Sequence, residues 1–193
     1  MQQGVISRDR IVRSAAKLFL TRSYNSVGIA DLCTAADVRK GSFYHFFPSK
    51  ADLAKAVIDL HAAEFERQFD EAESASSAER LYAVAGAVAR VQGAFEAKFG
   101  RIVGCPFGNL AAELSTTDDD LRVHVAAVFE RWEQRILAAC RGASLRVEPE
   151  TLARMILAQI QGMILLAKVR GLAADEIAAN IRTLIRTSLK EPS

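Results

Sequence analysis

The sequence predicts an all-α protein of about nine helices: a three-helix N-terminal unit with a helix-turn-helix, then a longer helical remainder. Three observations carry this. Apolar residues recur three and four apart along nearly the whole chain, and no stretch alternates at the period of a strand. The four prolines, Pro48, Pro106, Pro149 and Pro192, avoid the interiors of the periodic stretches, where they would break a helix. Half of the 193 residues are hydrophobic and a quarter are charged, enough Ala, Leu, Ile and Val for a substantial core.

The first helix runs from about Ser7 to Arg22. Ile11, Ala15, Leu18 and Phe19 form its buried stripe, and Arg8, Arg10, Arg13 and Lys17 occupy the rest of its surface. A short second helix, about Ile29 to Ala36, turns Ile29, Leu32, Cys33 and Ala36 inward. Asp37 interrupts it, since Asp tolerates the left-handed conformation of a tight turn. Val38 pins that turn to the core. The third helix, about Lys40 to Phe47, buries Phe43, Phe46 and Phe47, and Pro48 ends it. Ser49 caps a long fourth helix reaching about Glu73, with Asp52 as the acid of a capping-box variant. Leu53, Val57 and Leu60 share one of its faces, and the stretch Ser74 to Ser77 breaks the pattern.

A fifth helix runs to about Phe99. Gly100 and Gly104 bracket a connection to a short sixth helix, Pro106 to Leu114. Asp118, Asp119 and Asp120 open the seventh, where the helix dipole favours acids. Leu121, Val125, Val128, Trp132, Ile136 and Ala139 continue it, and Gly142 stops it. Helix eight spans Pro149 to Arg170, with Gly171 as its stop. It reads as apolar almost all round and therefore buried on several sides. Helix nine runs from about Ala174 to Leu189.

Charge is unevenly placed. Residues 1–50 carry +5 and residues 51–80 carry −5, although the whole chain is only +2. A basic head points to a polyanion as partner. The N-terminus has charges with no apolar run behind them, so no signal peptide is expected. The longest apolar stretch, Met155 to Ala167, is too short to span a membrane and contains Gln159 and Gln161, so no membrane partner is expected. Cys33, Cys105 and Cys140 form no disulfide framework, which suits a reducing cytoplasm. His45, His61 and His124 lack metal-ligand spacing, and there is no glycine-rich phosphate loop or nucleophile elbow. No enzyme activity and no cofactor are expected.

Helices two and three, with a short turn between them, have the dimensions of a helix-turn-helix, whose second helix enters the major groove. The polar face of helix three carries Arg39, Lys40, Ser42 and His45, with Tyr44 beside them and Gly41 allowing close backbone approach. Arg and Lys pair with guanine edges; Ser, Tyr and His donate to phosphate. Lys50 sits in the first turn of helix four, where its charge opposes the dipole and a bound phosphate would reverse the sign. A solvated surface lysine is the plainer alternative.

The stretch from Ile11 to Leu53 resembles the DNA-binding domain of the TetR family of bacterial repressors. The resemblance rests on Tyr24, Ile29, Leu32, Val38, the run Lys-Gly-Ser-Phe-Tyr-His-Phe-Phe over residues 40–47, Lys50 and Leu53. It implies that Lys40, Gly41, Ser42, Tyr44 and His45 lie at the DNA and that Lys50 holds a phosphate. Two departures stand out. Val27 and Gly28 replace the family's hydroxyl at the start of helix two, so the cap and its phosphate contact are lost or left to backbone. The turn reads Asp37, Val38, Arg39, so Arg39 adds a charge at the groove.

The resemblance divides the chain into a DNA-binding domain over residues 5–65, with its motif at 28–47, and an effector-binding and dimerisation domain over 66–193. It implies a homodimer paired through the last two helices, a palindromic double-stranded DNA operator and a small-molecule effector. The segment Gly104-Cys-Pro-Phe-Gly-Asn-Leu-Ala-Ala-Glu-Leu114 resembles the signature of one branch, some of whose members sense electrophiles or oxidants through cysteine. Two readings of Cys105 stand. It is a sensor, its pKa lowered by a helix N-terminus and by Lys168, or a small buried hydrophobe. A non-covalent pocket would draw on Phe107, Phe129, Trp132, Gln159 and Met163, each of which also suits the core. Effector binding would move helix four as a lever and release the promoter. Rival readings are an activating or constitutive DNA-binding regulator, and a helical ligand-binding domain that no longer binds DNA.

Overall fold

The computed structural model describes residues 2–70, 76–114 and 116–190, with side-chain surroundings given for 7–68, 76–114 and 116–190. The expected end of helix four at Glu73 and the break at Ser74 lie outside the described residues. Among the described residues there are nine helices: α1 (Gln2–Thr21), α2 (Ile29–Ala36), α3 (Lys40–Phe46), α4 (Lys50–Asp70), α5 (Ser77–Phe99), α6 (Pro106–Leu114), α7 (Asp119–Cys140), α8 (Pro149–Arg170) and α9 (Ala174–Ser188). An isolated bridge between Leu145 and Leu189 is the one β-type pairing among them.

The chain forms two compact units. The first comprises residues 1–63 and 106–126; the second comprises residues 64–105 and 127–193. The first unit thus takes in α6 and the start of α7, which the resemblance placed in the domain over 66–193. Periodicity reports which face of a helix is buried, and it is silent on which neighbour buries it.

In the first unit α1 packs against α2 and α6, and α2 against α3. Ile11, Val12, Ala15, Ala16, Phe19 and Leu20 form the buried stripe of α1. The start of α2 lacks a side-chain cap at Gly28; instead Asp31 reaches back, and the Gly28 N–H donates to its Oδ2 at 2.9 Å. That donation is the first cause of a lowered Asp31 pKa, and Arg22 adds to it. Asp37 ends α2 at φ 50°, ψ 55°, the left-handed conformation expected of it. At α4 the Ser49 hydroxyl accepts from Asp52 N at 3.1 Å and donates to the Asp52 carboxylate at 2.7 Å. Asp118 caps α7, accepting from Leu121 N at 2.9 Å.

In the second unit α9 packs against both α5 and α8. A full capping box opens α5: Glu79 N donates to Ser76 Oγ, and Ser76 N donates to Glu79 Oε2. Glu96 of α5 accepts from Ala174 N at 3.1 Å and so holds the start of α9. The end of α9 is tied to the α7–α8 connection, where Arg146 N donates to Ser188 O at 2.8 Å and Lys190 N to Ser144 O at 2.9 Å.

Helix α8 has two unlike sides in the single chain. It buries Leu152, Ile156, Ile160, Met163, Ile164 and Ala167, yet Met155, Leu165, Leu166 and Val169 are exposed. The helix is covered on one side rather than several. By length and composition it is also long and apolar enough to cross a membrane. Glu150, Arg154, Lys168 and Arg170 lie within it, so its longest uncharged run is still the expected short one ending at Ala167.

Candidate nucleic-acid interface

The seven-residue helix α3 is held by its aromatic side. Phe43 is fully buried and Phe47 is 3 % exposed, 6.1 Å apart by ring centroid. The Arg8 guanidinium lies over the Phe47 ring at 5.2 Å. Phe46 differs from expectation: it is half-buried at the edge of the helix, with the His45 ring edge-on to it at 4.9 Å. With Phe43 and Phe47 turned inward, Arg39, Lys40, Gly41, Ser42, Tyr44 and His45 are all exposed.

The exposed face carries two cations, a hydroxyl, a phenol and an imidazole. Lys40 lies near the Tyr44 ring, 5.9 Å from its centroid, and Tyr44 stands edge-on to Phe43 at 5.3 Å. These contacts restrain Tyr44 while leaving it 46 % exposed. A Cβ added at Gly41 would meet nothing within 4 Å, so no neighbour within the chain requires glycine there.

Lys50 is disposed differently from a lysine reaching into solvent. Its ammonium donates to Tyr24 O at 2.8 Å and Val27 O at 3.0 Å and lies 4.0 Å from the Tyr24 ring centroid. Burial lowers its pKa, and Glu113 acts in the opposite sense. The two carbonyls and the ring offset the dipole penalty of a cation at a helix start. The ammonium is thus held by the loop carbonyls and the ring face. Glu113 of α6 grips the same loop, accepting from Tyr24 N at 3.1 Å and Asn25 N at 3.0 Å. Sequence reading missed Glu113 as a partner of this loop. Further contacts bind the recruited segment to α4: Lys55 to Asp120 at 3.3 Å and His124 to Asp59 at 2.8 Å.

The family description "Bacterial regulatory proteins, tetR family" matches residues 11–57, and "Transcriptional regulator LmrA/YxaF-like, C-terminal domain" matches residues 81–175. The transcriptional regulator AcuR of Cereibacter sphaeroides is 32 % identical over 187 residues, covering 94 % of this chain and 84 % of that protein. The chain belongs to the TetR family. Another relative, the HTH-type transcriptional repressor DhaR of Mycobacterium sp., is 29 % identical over 170 residues, covering 84 % of this chain and 82 % of its own length. The crystal structure of a regulatory protein TetR from Rhodobacter sphaeroides superimposes with a TM-score of 0.81 at 30 % identity, covering 95 % of this chain and all of that one. Like these TetR-family proteins, the chain carries its helix-turn-helix at the N-terminus, and α2 and α3 are its two helices.

The residues considered for an effector divide between the units. Phe107 lies in the first, fully buried, its ring edge-on to His61 at 6.4 Å. Cys105, Phe129, Trp132, Gln159, Met163 and Lys168 lie in the second. There Trp132 stacks on Phe65 at 4.2 Å and meets Phe129 edge-on at 5.9 Å. Met163 is 7 % exposed, and Lys168 is exposed. Gln159 makes a helix contact, its Nε2 donating to Asn180 Oδ1 on α9 at 3.0 Å. Cys105 directly precedes the first residue of α6 as expected, but it is only 5 % exposed.

Gln92 escaped the sequence reading. It occupies the next place in the buried stripe Leu81, Val84, Ala85, Val88 of α5, is 1 % exposed, and its Oε1 has no hydrogen-bond partner. An amide in an apolar register was the available signal. Apart from Gln92, the buried polar side chain among the described residues is Ser188, whose hydroxyl donates to Leu184 O.

Proposed function

We propose that this chain is a homodimeric transcriptional repressor that holds a palindromic double-stranded operator through α3 and releases it when a small molecule binds the second unit. The observation that carries this is the outward face of α3. A buried Phe43 and Phe47 leave Arg39, Lys40, Ser42, Tyr44 and His45 facing solvent around a glycine that no internal neighbour requires. Arg39 and Lys40 are the residues for base edges; Ser42, Tyr44 and His45 suit phosphates as donors, and Lys50 by its charge. Membership in the TetR family supports DNA binding, and the repressor DhaR supports repression. The working division is a DNA-binding part up to about residue 65, with the 106–126 segment packed into it, and an effector and dimerisation part beyond.

Two-fold pairing uses the exposed apolar side of α8, where Leu165 is 60 % and Val169 75 % exposed in the single chain. Gln92 Oε1 supplies a buried acceptor that a hydrogen-bond donor on the effector would satisfy. The segment Gly104 to Glu113 supports membership in the cysteine-bearing branch, while the burial of Cys105 favours packing as its role and a non-covalent effector. As a DNA-binding regulator the protein works in the cytoplasm, where its three cysteines stay thiols.

Titration of a duplex selected from a random pool, across a salt series, tests the central reading. Log affinity should fall linearly with log salt, with a slope of several counterions, and Lys40→Ala should weaken the selected duplex more than a random one. A chain that selects no sequence defeats the reading.

A further inference from the structure

We propose that Glu113 is a positioning residue for DNA reading: from α6 it fixes the loop ahead of α2, and through that loop it sets the placement of α3. The inference rests on the DNA-reading role proposed above.

Glu113 is 89 residues from Tyr24 in the chain, yet its two carboxylate oxygens accept from consecutive backbone N–H groups, Tyr24 N at 3.1 Å and Asn25 N at 3.0 Å. Hydrogen bonds to an ionised acceptor are the strong class, and a bidentate pair constrains orientation as well as distance. Both donors are main-chain groups, so the grip holds the course of the backbone itself. Lys50 holds the carbonyl side of the same loop at Tyr24 and Val27, and its charge interacts favourably with Glu113. The loop is therefore clasped through its N–H groups by an anion and through its C=O groups by a cation.

Behind the clasp, Val27 is fully buried and the next residue, Gly28, is the N-cap of α2. From there α2, the Asp37 turn and α3 follow with only three residues outside helix, and the Arg10 guanidinium donates to Asp37 O. A shift of the clasped loop has little slack in which to be absorbed before α3. A purely structural role would show as lost stability with the same preference for operator over random DNA.

Glu113→Gln tests the difference. The amide keeps the shape but offers one oxygen acceptor, and its NH2 faces a second N–H donor. The measurements are amide hydrogen exchange at Tyr24 and Asn25, thermal stability, and affinity for a duplex selected on the wild-type chain against a random duplex at the same salt. We expect exchange at both amides to quicken about tenfold. We also expect the operator-to-random affinity ratio to fall about tenfold, with random binding unchanged. Faster exchange with an unchanged ratio, or unchanged exchange in Glu113→Gln, overturns the positioning role. A wild-type chain that selects no duplex overturns the DNA-reading proposal as well, and the exchange measurement then still reports whether Glu113 holds the loop.

Discussion

The guanidinium of Arg10 donates to the carbonyl of Asp37 at 3.2 Å, so α1 holds the one non-glycine residue with positive φ among the described residues. The bond goes to the Asp37 main chain; its carboxylate is 98 % exposed and 3.9 Å from Arg10. Asp37→Gly keeps the main-chain bond and removes the Cβ strain, so it should stabilise the protein by up to ~1 kcal/mol. Asp37→Val should cost about 1–2 kcal/mol. Urea unfolding of the two variants checks this, and equal midpoints would refute the strain argument.

Gly41 separates folding from recognition. A methyl group there meets nothing within 4 Å inside the chain. Gly41→Ala should therefore raise stability, by up to ~1 kcal/mol from helix propensity, while weakening the selected duplex about tenfold through loss of close approach. A variant that binds the duplex as tightly as the parent would remove Gly41 from the interface.

Gln92 carries an unpaired buried acceptor in an apolar stripe. Replacing it by methionine of similar length removes the desolvated amide. Gln92→Met is expected to gain about 1–3 kcal/mol, seen as a higher unfolding midpoint without effector. A lower midpoint would mean that the amide is stabilising where it sits and is not held in reserve for a ligand.

The Cys140 thiol is pushed up to about 11, first by burial and then by Glu150. A raised folded-state pKa means that the folded state holds the proton more tightly than the unfolded chain. Stability from this group is complete below the unfolded value near 9 and declines as pH rises from there towards 11. The Cys140→Ala variant should show a shallower loss over that window. At neutral pH, alkylation of the native protein should leave Cys140 unmodified. Early labelling at Cys140 would contradict its burial.

Leu165 and Val169 lie one helical turn apart on α8 and are both exposed. A glutamate at either place would bury a charge in a two-fold interface. Leu165→Glu and Val169→Glu should sediment as monomers and lose most of their operator affinity. Dimers that survive both substitutions would move the interface elsewhere.

The exposed polar face of α3 was legible because it depends on local order alone. Phe43 and Phe47 lie four residues apart, which puts them on one side of α3 and leaves Lys40, Ser42, Tyr44 and His45 elsewhere. Asp37 and Ser49 were legible for the same reason: turn and cap chemistry act within a few residues. Phe46 was misjudged because a short helix has too few turns to define the edge of its buried stripe.

Partnership at a distance was not legible. Residue order cannot reveal that Glu113 binds the backbone at Tyr24 and Asn25, since main-chain donors leave no side-chain signature. Lys50 looked like an outward cation until the loop carbonyls and the Tyr24 ring were seen against it, and Gln159 looked like a pocket residue until Asn180 was seen to accept from it. What the amino-acid order determined was helices, caps and inward faces, because these follow from the period of the backbone and its nearest hydrogen bonds. Tertiary structure decided which polar groups are already satisfied and which, like Gln92 Oε1, are not, because that depends on atoms brought together from remote parts of the chain.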